Sequence, residues 1–404
     1  MLKTTTIPRC DKSFVYPSIM ALVLSSHNVT SYLRGLALCT DADQDLVQID
    51  SIPAKNFNLL VTLPNGHKYL VKQERYASDG KTAGEFLNEW RIQEFLQQFL
   101  ELGNFRVFLP VVLHFDRENS IMVSQYLDDY RDLADFYAKE NFFPTAIASS
   151  LGTIVATIHH STYNHQDYQN FFSQDTESEL KDQVPNIIRS LERITPEIFG
   201  LVPQDGLKFF VLYQRYESLA QAIAELSTAY KPCCLTHNDL KLNNILLHQD
   251  WQQSNHSIVR LIDWERSAWG EPAFDLGTLI ASYLLLWLGS LVISQTLTIE
   301  ESLRLAATPL EQIQPSISAL TVAYFDTFPE ILEDRPDFLK HVIQFAGLAL
   351  IQQIQAMIQY QKSFGNSGIC MLQVAKSLLC RPEESMQTIF GNAAASLTPV
   401  NQAA

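Results

Sequence analysis

The sequence predicts an α+β chain in two lobes, a small N-terminal lobe built on an antiparallel sheet and a large, mainly helical C-terminal lobe. Three observations carry that expectation. At 404 residues the chain is long enough to divide into two lobes with sizeable cores. Between residues 57 and 126, strand-like runs alternate with turn residues, whereas beyond Arg131 the sequence reads mostly as helix. One strand pair, between residues 244 and 262, interrupts those helices.

Composition narrows the function classes. Hydrophobic residues make up 47% and charged residues 18%, an ordinary globular balance rather than a disordered one. A formal net charge of -15 argues against nucleic acid as the main partner, since phosphate neutralisation needs clustered Lys and Arg. A cationic or neutral substrate is compatible with it. Cysteines stand at 10, 39, 233, 234, 370 and 380, without a C-x-x-C pair or a His at zinc-ligand spacing. Reduced thiols and a cytoplasmic location are expected. The apolar run Ile19–Leu24 is too short for a secretory leader. Residues Leu276 to Ile299 carry no charge and have the length of a membrane span. Asp275 precedes them directly and positive flanks are missing, so a buried core helix is expected and no membrane span.

In chain order, residues 1–14 are polar and read as loose. From Ser18 to about Leu38, residues Val23, Leu24, Val29, Leu33, Leu36 and Leu38 can share a helical side, with a break or cap at 25–28. The runs Phe57-Asn-Leu-Leu-Val-Thr-Leu and Lys68-Tyr-Leu-Val-Lys-Gln flank Pro64-Asn65-Gly66, whose Asn-Gly pair suits a tight hairpin. Lys72 thus falls near the end of the second strand. Apolar positions 86, 87, 90, 92, 95, 96, 99 and 100 then form a helical stripe. Glu85 and Glu89 lie one turn apart on it, so either can reach back to Lys72. Strands follow at 107–114 and 120–126, with Gln125, Tyr126 and Leu127 closing the sheet. The expected division is a helical extension at 1–50, a small lobe of sheet and helix at 51–127, a large mainly helical lobe at 128–390, and a disordered tail at 391–404.

The chemistry concentrates at residues 234–277. Two apolar runs, Asn244 to Leu247 and Ser257 to Ile262, bracket the hydrophilic turn Gln249 to Asn255. Asp239 precedes the first run and Asp263 follows the second, so a hairpin gathers both acids and Asn244 at one end. Such an arrangement suits Mg-nucleotide chemistry, in which hard oxygen ligands hold the metal and a separate acid orients a hydroxyl.

The pattern His237-x-Asp239-x-x-x-x-Asn244, with Ile-Asp263-Trp-Glu, Glu271-Pro-Ala-Phe-Asp275-Leu-Gly and the upstream Lys72, resembles the catalytic core of the aminoglycoside phosphotransferase and choline kinase superfamily. The resemblance spans most of residues 50–290 and implies a bilobal protein-kinase-like fold. It also implies an ATP- and Mg2+-dependent transfer to a hydroxyl. Asp239 would then be the catalytic base, Asn244 and Asp263 the metal ligands, and Lys72 the partner of the α/β-phosphates, fixed by Glu89 in preference to Glu85. Gln125, Tyr126 and Leu127 would read the adenine, and His237 and Asp275 would brace the catalytic loop. His159, His160 and His165 read as core and loop residues, not a metal site.

Three departures bear on the acceptor. Lys241 stands where the small-molecule kinases commonly carry His, and a lysine there can offset charge on the transferring phosphoryl group. Asn238 replaces a protein-kinase arginine, and only about a dozen residues separate Asp263 from Asp275, too few for a phospho-regulated segment. The turn before Phe57, Ile-Pro-Ala-Lys55-Asn56, has no glycine to let a phosphate approach closely. A small hydroxyl-bearing molecule is the leading acceptor. A Ser/Thr hydroxyl of a peptide and a nucleotide-binding pseudokinase are the alternatives.

Overall fold

The computed structural model describes residues 22–43, 46–78, 80–174, 183–192, 204–253, 257–292, 294 and 296–397. Two hydrophobic cores, a small one in the N-terminal part and a large one in the helical part, give the two-lobed α+β architecture. The loose segment expected at 1–14 lies outside the described residues.

The small lobe is a five-stranded antiparallel sheet. Its strands are β1 (Gln48–Ile52), β2 (Phe57–Thr62), β3 (Lys68–Gln73), β4 (Val112–Asp116) and β5 (Ile121–Gln125), in the order β1-β2-β3-β5-β4. Alternation places Leu59, Val61, Val71, Ile121 and Val123 on one buried face. In the β2–β3 turn Gly66 takes a φ of +87°, which a glycine adopts without steric cost, while the Leu63 N–H donates to the His67 carbonyl at 2.8 Å.

Three expectations about this region are corrected. Helix Val29–Gly35 is shorter than the segment read from 18 to 38, and its Val29 and Leu33 belong to the small core rather than to a separate extension. Strand β1 straddles the expected boundary after residue 50; its mostly exposed residues gave no apolar alternation. The strand expected from residue 107 begins only at Val112, because Leu100–Phe108 coils into a 3-10 helix that sends Leu102 and Phe105 into the large core.

Helix Glu85–Gln98 links the lobes. Its Ile92, Phe95 and Leu96 pack in the large core, and Asn88 Nδ2 donates to the carbonyls of Glu265 at 2.7 Å and Ser267 at 3.0 Å. The large lobe carries two small sheets below it. Strand β6 (Tyr130–Asp132) pairs with β8 (Ile245–His248), which pairs with β9 (Val259–Leu261); β7 (Cys234–Thr236) pairs with β10 (Ala268–Gly270).

Long helices complete the lobe: Thr145–Thr162, Pro272–Gly289, Leu310–Thr327, Phe338–Ala356 and Asn366–Cys380. Two of their contacts are backbone-close. A Cβ on Gly277 would sit 2.7 Å from the Val342 carbonyl oxygen, and one on Gly152 would sit 2.1 Å from that of Leu320. Pro272–Gly289 is long and apolar enough to cross a membrane, yet its Leu276, Leu279, Ile280 and Tyr283 are fully buried among neighbouring helices. Part of the expected tail is ordered as well. Short helical turns at Gly391–Ala393 and Ala394–Leu397 bury Ala394 and Leu397, and residues 398–404 lie outside the described residues.

Candidate active site

The loop from His237 to Asn244 leaves β7 and turns on Asn238, whose φ is +62°, a left-handed conformation that Asn tolerates better than most residues. A buried carboxylate holds the turn. Asp275 accepts from the backbone N–H of His237 at 2.7 Å and of Asn238 at 2.8 Å. The Asp275 side chain also meets His159 Nε2 at 3.2 Å, and His159 Nδ1 meets the Tyr324 hydroxyl at 2.9 Å. With two amides and an imidazole on it, a carboxylate 1% exposed is compensated in place.

His237 ties this loop to the next. The Asp239 N–H donates to His237 Nδ1 at 3.3 Å, so Nε2 carries the proton and donates to the Ile262 carbonyl at 2.9 Å. Asn244 closes the circuit by donating from Nδ2 to the Asp239 carbonyl at 2.9 Å and to Asp239 Oδ2 at 3.2 Å. The loop therefore fixes one oxygen of Asp239 through Asn244. The other, Oδ1, faces two cations: Lys241 Nζ at 2.6 Å and Arg266 Nη1 at 3.9 Å.

Asp263 follows β9 in a left-handed conformation, φ +61°, and reaches across the lobes to Lys72 Nζ at 3.0 Å. Lys72 is set by the sheet, opposite Asn58 of β2 and Met122 of β5. Burial opposes its charge, but Glu89 and Asp263 outweigh that, so Lys72 stays above the usual lysine range. Lys72 in turn holds Asp263 below the usual carboxylate range. Glu89 is pushed upward by burial, against the pull of Lys72, and its Oε2 has no hydrogen-bond partner.

The two candidate glutamates thus separate by environment. Glu85 is taken by the glycine-free turn, bonding Lys55 Nζ and, at 3.2 Å, Asn56 Nδ2. Glu89 is the one that shares the buried field of Lys72, although Lys72's direct ion pair is with Asp263.

Residues 125–127 join the lobes between β5 and β6. The Gln125 N–H donates to the Val111 carbonyl and the Tyr126 N–H to the Lys68 carbonyl, each at 2.9 Å. The Leu127 N–H makes no bond among the described residues, which leaves a donor for a ligand base. Tyr69 is the ladder partner of Gln125, and Lys72 lies three residues further along β3, about 10 Å away at strand spacing. That suits the reach from a base to its proximal phosphates.

Beyond Asp239 a cleft of about 310 Å³ opens between helix Pro272–Gly289 and the end of Phe338–Ala356, where the chain continues as the π-helical turn Met357–Gln361. Asp239, Lys241, Arg266, Thr278, Gln353 and Tyr360 are among the residues that line it. Glu265 and Arg266 stand two and three positions after Asp263, and closeness to that acid is the sequence signal for them. The glutamines at 352, 353, 355 and 359 carried a weaker signal, a polar patch on an otherwise apolar helix.

The model of the Phosphotransferase enzyme family matches residues 49–297, more than half of the chain. Among solved structures, choline kinase LicA from Streptococcus pneumoniae is similar at 17% identity, over 88% of this chain and 99% of that one, with a TM-score of 0.37. ADP-bound aminoglycoside phosphotransferase APH(2'')-Ib is similar at 16% identity, over 88% and 99%, with a TM-score of 0.45. A choline/ethanolamine kinase family protein from Mesorhizobium loti is similar at 15% identity, over 92% and 99%, also with 0.45. No curated protein matches the chain in sequence.

Proposed function

The chain belongs to the phosphotransferase enzyme family, and we propose that it moves the γ-phosphate of ATP, with Mg2+, to a hydroxyl of a small molecule. The observation that carries this reading is the convergence of Asp239, Lys241 and Asn244 with the Lys72–Asp263 pair at the end of one hairpin. The acceptor oxygen attacks the γ-phosphorus. A new P–O bond forms as the bond to the β-phosphate oxygen breaks, ADP leaves, and the hydroxyl proton passes to Asp239. Asn244, holding Asp239 Oδ2, keeps that carboxylate aimed.

Lys241 and Arg266 flank Asp239 Oδ1 and are placed to meet negative charge on the phosphoryl group in transfer. Lys72 would take the α/β-phosphates, with Glu89 balancing its charge, and the Leu127 N–H would donate to the adenine between Gln125, Tyr126 and the large lobe. The donor set fits a hard cation: Asp263 keeps Oδ2 beyond its bond to Lys72, and Asn244 keeps its amide oxygen. When bound there, Mg2+ would neutralise phosphate charge. A walled cleft of about 310 Å³ favours a small acceptor over a peptide, for which Lys241 alone speaks.

The test is direct. In Asp239→Asn, kcat should fall by about 10²–10⁴, the usual worth of a positioned base, with Mg-ATP binding kept. Parent-like turnover in that variant would sink the base assignment.

A further inference from the structure

The cleft beyond Asp239 has a definite chemistry. Although acids outnumber bases 44 to 29 in the whole chain, Asp239 is the cleft's carboxylate and two cations, Lys241 and Arg266, face it. An amine-bearing acceptor entering here would meet those cations and no further carboxylate among the lining residues.

What the cleft offers instead is hydrogen bonding with no further negative charge. Three lining residues keep a buried polar atom without a partner: Asn238 Oδ1, an acceptor; Arg266 Nε, a donor; and Thr278 Oγ1, which is both. Orphaned buried groups are costly and uncommon, and three around one cleft point to a polar ligand that satisfies them after a small adjustment. Gln352, Gln353, Gln355 and Gln359 add amides, each able to donate to one hydroxyl and accept from another. Tyr360 also lines the cleft, 76% exposed and carried on the π-helical turn, a distortion common at functional sites. An exposed aromatic face suits the C–H face of a sugar ring, and the adjacent amides suit its rim of hydroxyls.

We propose that the acceptor is an uncharged carbohydrate or ring polyol, held by the cleft glutamines and stacked on Tyr360, with the reacting hydroxyl at Asp239. This rests on the phosphotransferase reading for its reaction, but the binding chemistry can be tested separately. Full-length protein saturated with Mg2+ and a non-hydrolysable ATP analogue would be titrated with neutral monosaccharides, N-acetylated hexosamines, methyl glycosides and cyclitols. Choline, kanamycin and a Ser/Thr-containing peptide form the opposing set, and ADP release with Mg-ATP is measured in parallel.

The expected result is a thermal shift from a neutral sugar or polyol, with ADP release from the same compound. In Gln353→Leu and Tyr360→Ala the KM for that compound should rise by about tenfold or more, while the KM for ATP and the thermal stability of the free protein hold. A shift from choline, kanamycin or the peptide instead would overturn the proposal while leaving the phosphotransferase reading intact. A shift from none of the compounds would overturn it too, as would sugar binding unchanged in both variants. Sugar binding that both variants weaken, without ADP release, would break the phosphotransferase reading and leave this one standing.

Discussion

The two halves of the cleft satisfy their polar groups in opposite ways. On the proposed nucleotide side, charges are paired within the protein: Lys72 with Asp263 at 3.0 Å, and Lys55 with Glu85. Its exceptions include Glu89 Oε2, which is unbonded yet lies in the field of Lys72, Asn58 Oδ1 on the ladder partner of Lys72, and Glu265, which makes no ion pair among the described residues. On the proposed acceptor side Asp239 is paired with Lys241 at 2.6 Å, but Asn238 Oδ1, Arg266 Nε and Thr278 Oγ1 go unpaired, and glutamine amides with the hydroxyls of Ser282 and Tyr360 make up the rest. One half is preassembled around fixed charges, the other waits for its ligand to complete it. A triphosphate needs rigidly placed cations, whereas a hydroxylated acceptor needs only donors and acceptors in register.

The largest effect should come from removing the charge that joins the lobes. Lys72→Met takes away the proposed phosphate partner and leaves Asp263 and Glu89 without the cation between them. Turnover should fall by about 10³ in kcat/KM for ATP, in line with the loss of a principal charge contact. Steady-state kinetics with ATP varied would check it, and a loss confined to the acceptor KM would break the division into halves.

The next largest tests what supports the acceptor half. Glu271 caps helix Pro272–Gly289, accepts from the Lys231 N–H at 2.8 Å, and takes both Arg335 Nη1 at 2.7 Å and Nη2 at 2.9 Å. Its side chain has no exposure and that of Arg335 is 11% exposed. Glu271→Ala strands a buried guanidinium and frees the helix that carries Thr278. A loss of about 3–5 kcal/mol is expected, read as a lowered urea midpoint. A midpoint within error of the parent would show that the pair contributes little.

How much of this was legible follows the same division. Asp239, Asn244 and Asp263 stand out because a short hairpin and a strict order of acids constrain them locally, and Lys72 because a strong Asn-Gly hairpin locates its strand. The two-lobed α+β class was readable from the change of periodicity near Arg131. Beyond that, spacing loses its reach. Strands β6, β7 and β10 are three residues each, too short for any period to register. Glu85 and Glu89 share a helix face, and only a tertiary partner, Lys55, separates them. The acceptor cleft joins residues near 239, 278 and 353, from segments that no local pattern brings together.

The smallest effect concerns a carboxylate the sequence placed beside Asp263 but gave no role. Glu265 makes no ion pair among the described residues. Burial, reinforced by Glu85, Asp263 and Glu89 and opposed by Lys55, pushes its pKa up from 4.5 to about 7. Because the folded protein then holds this proton more tightly than the unfolded chain, the stability it contributes is fully present below about 4.5 and is lost as pH rises through about 7. Glu265→Gln keeps the neutral form at every pH. In nucleotide-free protein with a chelator present, the variant should match the parent near pH 4.5. At pH 8 it should exceed the parent by on the order of 2 kcal/mol, partial solvent access having reduced the full linkage value. Urea unfolding at the two pH values measures the difference. A constant offset would mean that Glu265 ionises freely in the folded state, and the nucleotide half would then hold its negative charge in solvent rather than in paired, buried groups.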